Sequence, residues 1–313
     1  MSNGINEVKI VERPIAKEVH MIVGWRQWAD AGSVSSGLPQ YLIEFNKAHK
    51  IGEIDPSGFY LFQIPGTHDL VRPVVKFKDG YPEFLEGKRN EFFYAGDEER
   101  GIVFFLGDEP HLDAERYVNA LLYAAKEFRV KRIIGFGGVY GELPYNKERM
   151  VSSTYSQKSI KSELDNMAVN FSDYHGGGSI GSFVCRRASE MDIEYISLYA
   201  FVPVYDFSNI SRNASGIQIE NDFMAWLGIM RRVNFLLKLN WDLTELESKS
   251  LRLVKLMDDK IEEIAKAFPE INIHEYMQQL DENFDEVVFE PLQDLWEDEI
   301  NRLFDRFEDE DPT

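Results

Sequence analysis

The stretch Gly176-Gly177-Gly178-Ser179-Ile180-Gly181 carries the densest chemical spacing in the chain. Read as Gly176-x-Gly178-x-x-Gly181, it is the dinucleotide fingerprint, in which glycines let a pyrophosphate approach the backbone at a helix N-terminus. Read as Gly177-x-Ser179-x-Gly181, it is a nucleophile elbow, which needs a strand before it and a histidine further on. A sequence that satisfies both shows how little either spacing specifies. Residues 167–174 make a poor apolar strand, and the one later histidine, His274, falls in an acidic stretch far from any triad position. The pattern therefore favours Ser179 as a helix N-cap and the glycines as a tight turn.

Three further stretches fall at the C-terminal ends of expected strands, where open α/β sheets build ligand sites: residues 25–32, 107–110 and 137–142. They offer Asp30, Asp108, Glu109 and Glu142 as carboxylates, but no histidine with an obvious carboxylate partner. His111, beside Glu109, reads better as a satisfied histidine at a helix start than as a general base. Walker-type lysine loops and His-x-x-x-His spacings are missing from the sequence. The expectation is thus no catalytic set, no metal and no cofactor. If the strand ends hold a ligand, the residues placed to do so are Trp25, Asp30, Gly32, Gly107, Glu109, Gly137, Gly138, Gly178 and Ser179.

Positioning these residues requires repeated β-loop-α units. Residues 19–25 read as a buried strand, followed by the turn Asp30-Ala31-Gly32 and a helix over 33–49. Residues 58–64 and 71–77 look like strands, and Asp79-Gly80 marks a hairpin turn into 81–85. The apolar run Ile102 to Leu106 is the next strand, after which Pro110 can open a helix through about Phe128. Strands over 132–136 and 151–155, a polar helix over 157–167, a helix from the glycine turn through Glu190, and a last strand over 195–202 complete the alternation. A closing helix covers 214–239. Such a pattern predicts an α/β fold with a largely parallel sheet covered by helices on both faces.

Of 313 residues, 54 are acidic and 34 basic, a net charge of −20. Residues 242–313 hold 23 of the acids and 7 of the bases, so −16 of that charge sits in the last part of the chain. Periodicity also changes at about Trp241, which divides the chain into an α/β domain, 1–241, and an acidic helical extension, 242–313. Leu246, Leu253, Met257, Ile261, Ile264 and Phe268 recur at helical spacing, as do Val288, Leu292, Leu295, Ile300, Leu303 and Phe307. Two amphipathic helices are expected there, with stripes that some other surface must cover. A surface this acidic repels phosphate backbones, which argues against nucleic-acid binding. The lone Cys185, the absence of a signal-like N-terminus and the absence of a spanning apolar run point to the cytoplasm and away from membranes.

The strand-end pieces, taken in order, resemble one family. Gly24-Trp25, Asp30-Ala31-Gly32, Ile54-Asp55-Pro56 with Phe59-Tyr60, Arg72-Pro73, Gly107-Asp108-Glu109-Pro110, Cys185-Arg186-Arg187-Ala188 and Ser197 through Pro203 are similar to the proteasome assembly chaperone family, second-subunit branch, in its archaeal and bacterial form. The resemblance spans about residues 19–239. It implies a phosphorylase/hydrolase-like three-layer α/β sandwich, no established catalytic residue, and a homo-oligomer, with a trimer favoured. Its implied work is assembly or interaction with a protein partner the sequence does not name. Archaeal relatives that act on proteasomes end in a hydrophobic-Tyr-any tripeptide, whereas this sequence ends Asp311-Pro312-Thr313, so docking of that type is not expected. The family's Pro-His-Thr-Arg-Pro-like loop stands here as Pro144-Tyr145-Asn146-Lys147-Glu148-Arg149. The alternative is an enzyme or binder of a nucleoside-like or phosphorylated compound at the strand ends. Some members are labelled ATP-grasp carboxylate-amine ligases, but the glycine-rich lid with paired lysines that this chemistry needs is missing here.

Overall fold

A computed structural model describes residues 6–63, 72–208, 210 and 216–289. Its strands are β1 (Val8–Ile10), β2 (Glu18–Arg26), β3 (His49–Ile54), β4 (Val74–Lys78), β5 (Tyr81–Glu86), β6 (Asn90–Gly96), β7 (Arg100–Asp108), β8 (Val130–Gly141), β9 (Val151–Tyr155), β10 (Asn170–Phe171), β11 (Glu194–Tyr205) and β12 (Ile217–Gln218). Its α-helices are α1 (Gly37–Phe45), α2 (Ala114–Glu127), α3 (Lys161–Leu164), α4 (Ile180–Glu190), α5 (Phe223–Leu237), α6 (Thr244–Ala267) and α7 (Ile273–Glu282).

The main sheet runs β1-β3-β6-β7-β2-β8-β11-β9-β10, with β12 added to β11. Its centre, β7-β2-β8-β11, is parallel, and antiparallel strands flank it on both sides. The alternation of a pleated strand explains how both faces are filled. Met21, Val23, Val103, Phe105 and Ile133 point to a core shared with α2 and α4, whereas Ile22, Phe104, Ile134 and Leu198 point to a core shared with α1, α5 and α6. Strands buried on both faces read as the continuous apolar runs seen in the sequence. The result is the expected α/β architecture with helices on both sides of a mostly parallel sheet.

Several boundaries differ from the sequence reading, each for a local reason. The helix expected from Pro110 begins at Ala114, because the amides of His111 and Leu112 donate to Phe59 O and Asp113 takes the N-cap, accepting from Arg116 N. The first helix is shorter, since Asp30 organises a separate turn before it and His49 already belongs to β3. Residues 58–63 form no strand: Phe59 turns inward edge-to-face on Tyr117, with centroids 5.3 Å apart. The polar helix over 157–167 is α3 flanked by two 3₁₀ turns. The closing helix starts only at Phe223, behind the N-cap Asp222, whose carboxylate accepts from Met224 N and Ala225 N. The sequence reading lacks strands β1, β3, β6, β10 and β12, the last falling in the span expected as the closing helix.

Beyond Trp241, α6 packs on α5. Leu246, Met257, Ile261, Ile271, Ile273 and Phe289 are buried in the same cluster as the sheet residues of that face. The first stripe of the extension is therefore covered by the main body, with Ser250 Oγ donating to Phe223 O at 2.9 Å. The second stripe, apart from Val288, lies outside the described residues.

Candidate functional site

In the parallel centre, β2 is the first strand laid down, with β7 on one side and β8 on the other. The chain's direction of winding reverses at β2, and such a switch point is where open sheets hold ligands, outside the carboxyl ends of the strands. Here that crevice is filled by the chain itself. Residues 27–36 leave β2, cross the end of β8, where Asp30 bridges to Gly138, and enter α1. Gln27, Ala29, Gly32 and Ser33 all take positive φ in this loop.

Each carboxylate expected to meet a ligand has a structural partner. Asp30 accepts from the amides of Ser35 and Ser36, both at 2.9 Å, and from Ser36 Oγ at 2.6 Å. Burial pushes its pKa up, against the lowering effect of those bonds. Glu109 accepts from Ile180 N at 2.8 Å, so it satisfies a free amide at the start of α4, and burial raises its pKa as well. Ser179 is the N-cap of that helix, accepting from Ser182 N at 3.2 Å, with Tyr199 Oη 3.2 Å away. The serine of the apparent nucleophile elbow thus caps a helix, and Gly178 precedes it in the turn. Trp25 is buried, its indole N–H donating to Tyr117 Oη at 3.0 Å and its amide to Ser35 Oγ.

The glycines follow the same logic. A side-chain carbon on Gly138 would lie 2.0 Å from Ala31 O, because the loop crosses directly over β8 there. Gly32 combines a φ of 61° with a carbonyl that accepts from Asp222 N and from the Trp226 indole. Gly107 packs on Tyr117 and Phe105, and Gly137 on the ring of Tyr199. The structure therefore brings Asp30, Gly32 and Gly138 together at one point and Glu109, Gly178 and Ser179 at another, 180 being the link. Trp25, Ser179 and Tyr199 border a small hydroxyl-lined recess with Ser197 and Tyr195. Among the described residues no three histidine, cysteine or acidic side chains gather as a metal site.

Sequence reasoning missed the strongest electrostatic feature. Arg149 and Asp222 are wholly buried and paired, Nε to Oδ2 at 2.8 Å. Arg149 also donates to the carbonyls of Pro144, Tyr145 and Lys147, which pins the loop after β8. Asp222 N donates to Gly32 O, so this pair ties the β8 loop, the β2 loop and α5 into one unit. The N-cap position of Asp222 before an apolar helix was a usable signal; its partner was not deducible from spacing.

The open concavity lies elsewhere. A cleft of about 590 Å³ separates the β4–β5 hairpin from the ends of β2 and β7, lined by Arg26, Tyr60, Arg72, Leu85, Lys88 and Asp108 among others. Its floor is built around the buried Asp108 carboxylate, which accepts from Arg26 Nη2 at 2.6 Å and Arg89 N at 2.8 Å, with Lys88 Nζ at 3.7 Å. Arg26 also reaches Glu86 on the hairpin at 3.2 Å. The hairpin is a separate two-stranded sheet, turned by Asp79 and Gly80 at positive φ. Val74, Val75, Phe77, Tyr81, Phe84 and Leu85 are 45–74% exposed on it.

Among the described residues no helix is long and apolar enough to cross a membrane. None of the curated proteins matches this sequence. Solved structures do. A proteasome-assembly chaperone homologue from Mycobacterium tuberculosis superposes with a TM-score of 0.65 at 18% identity, over 77% of this chain and 94% of its own. A PAC2 family protein from Streptomyces avermitilis gives 0.64 at 21%, over 77% and 95%. An archaeal proteasome activator from Pyrococcus furiosus gives 0.58 at 20%, over 80% and 97%. At these identities the likeness is one of fold. The sequence model of the PAC2 family matches residues 24–261, which runs past Trp241 into α6. With that match covering most of its length, this chain belongs to the PAC2 family.

Proposed function

We propose that this chain is a non-enzymatic, homo-oligomeric protein of the assembly-chaperone type, a trimer by preference, acting in the cytoplasm on a protein partner not yet named. The observation that carries this reading is the contrast at the strand ends: the crevice is filled by residues 27–36, while the neighbouring hairpin turns six large apolar side chains to solvent. Exposed apolar surface on this scale marks a protein contact, and aromatic side chains are enriched in such contacts. The relatives described as a proteasome-assembly chaperone homologue and as a proteasome activator agree with it. Residues 1–241 supply the α/β unit in this reading, and the acidic residues 242–313 meet a partner or cap an interface.

Size-exclusion chromatography with light scattering tests it: one defined oligomer is expected, and a monomer at micromolar concentration removes it. The second reading, a binder of a nucleoside-like or phosphorylated compound, now attaches to the cleft beneath the hairpin, where Arg26, Arg72 and Lys88 converge. A thermal-shift screen of nucleotides, nucleosides and phosphosugars decides on it, since a ligand at a hundredfold excess over Kd stabilises by about 2.7 kcal/mol. A flat screen rejects it.

A further inference from the structure

Gly181 closes both glycine spacings of residues 176–181, and neither of those chemistries accounts for it. It is the second residue of α4, two places after the N-cap Ser179. A glycine inside a helix costs stability relative to alanine, and Gly181 is not one of the glycines at positive φ, so its backbone conformation does not demand it. Packing does. A side-chain carbon there would stand 3.3 Å from Tyr195 Oη and 3.5 Å from both Ser179 Oγ and Tyr199 Oη. The glycine keeps open a point on which three hydroxyls converge.

Strands β8 and β11 shape the opposite wall. Tyr195, Ser197 and Tyr199 alternate along β11 and so share one face of the sheet, with Gly135 and Gly137 of β8 in register beside Ser197 and Tyr199. Gly135 makes room for Tyr195 Oη, and Gly137 for the ring of Tyr199. Tyr195 is 0% and Ser197 1% exposed, yet neither hydroxyl has a hydrogen-bond partner among the protein's own groups. Burial pushes the Tyr195 pKa well above its usual value, so the phenol keeps its proton and stays a donor. A hydroxyl taken out of water without a partner is costly, and these two border the same recess. That recess is about 10 Å³ in volume and is closed on its other side by Trp25, Trp28 and Ser35. A buried water needs about 10–15 Å³ and roughly two to four polar partners; a phosphate or a nucleotide has no room. None of the lining residues is charged, so an ion would lie there without a countercharge. The start of α4, which favours anions, is already occupied by Glu109, whose carboxylate accepts from Ile180 N at 2.8 Å.

We infer that this recess is a binding site for one neutral hydrogen-bonding ligand, a single water, shared by Tyr195 Oη and Ser197 Oγ, with Gly181 as the residue that leaves space for it. The water joins β11 to the start of α4. The test is a crystal structure of the full-length chain grown with bromide as the only halide, beside that of Gly181→Ala. Expected is one oxygen-sized peak within hydrogen-bond distance of Tyr195 Oη and Ser197 Oγ, without anomalous signal. It is lost in Gly181→Ala, where the new methyl takes its place while Ser179 still caps α4. In solution, the ¹⁷O relaxation dispersion of the wild type should exceed that of the variant by the contribution of one long-lived water. Tyr195 Oη bonded directly to Ser197 Oγ with no peak between them would overturn the inference. So would an anomalous peak at the site, which makes the ligand an ion, a peak that Gly181→Ala leaves in place, or equal dispersions. The wild-type density decides even where the variant does not fold.

Discussion

The two ends of the β2–β7 ledge solve opposite problems. On the β8 side, the loop of residues 27–36 brings Asp30, Gly32 and Gly138 into contact, and Asp30 and Glu109 each accept from backbone amides. On the β6 side, the β4–β5 hairpin keeps its apolar residues outside any core. A carboxylate such as Asp30, which accepts three hydrogen bonds inside its own loop, has little left to offer a substrate, whereas uncovered apolar faces gain free energy only when something else arrives. The first region is thus built for rigidity, and the second is where the proposed recognition would fall.

Variants can break that contrast, and the largest effect is expected beneath the filled crevice. Arg149→Met leaves Asp222 buried without its cation, and removal of one partner of a buried pair costs about 3–5 kcal/mol. Chemical denaturation should show that loss; a change under 1 kcal/mol, within the scatter of surface substitutions, would mean the pair is not the clasp described. Gly138→Ala comes next. Its new methyl meets the Ala31 carbonyl, and overpacking of this kind costs about 1–3 kcal/mol. The same measurement checks it.

The hairpin should respond in the opposite sense. Phe77→Ser with Phe84→Ser is expected to change stability by only about 0.5 kcal/mol per site, as for surface positions, while lowering binding of the hydrophobic dye ANS. A large loss of stability would place those rings in a core instead. The smallest effect concerns protons. Burial raises the Glu109 pKa, so the folded state holds a proton that the unfolded chain has already released. Stability from this group falls as pH rises from the ordinary glutamate value through the raised one, and is regained on acidification. The stability of wild type relative to Glu109→Gln in thermal melts should therefore rise as pH falls through that window. A pH-independent difference would contradict the assignment.

The fold was readable where chemistry is local. Continuous apolar runs such as Ile102 to Leu106 identified strands buried on both faces, and Asp79-Gly80 identified the hairpin because positive φ is needed there. Ser179 is legible as an N-cap because a serine hydroxyl at a helix start can accept from a first-turn amide. The helix expected over 33–49 overlaps β3 only at His49 and leaves the rest of that strand unassigned, and β6 is missed because Asn90-Glu91 and Ala95-Gly96 dilute its short apolar centre. The Arg149–Asp222 pair joins positions 73 apart, a relation that no spacing rule encodes. Trp25, Gly107 and Glu109 do stand at strand ends, but Gly137 and Gly138 lie within β8, which continues to Gly141, and the sequence could not reveal that the loop after β2 would occupy the space itself.

The most direct test of the account is light scattering on the full-length chain, run beside an Asp30→Asn, Glu109→Gln double variant. The account predicts one defined oligomer for both, since the crevice carboxylates serve the fold and not the assembly. A monomeric wild-type chain at micromolar concentration would contradict it.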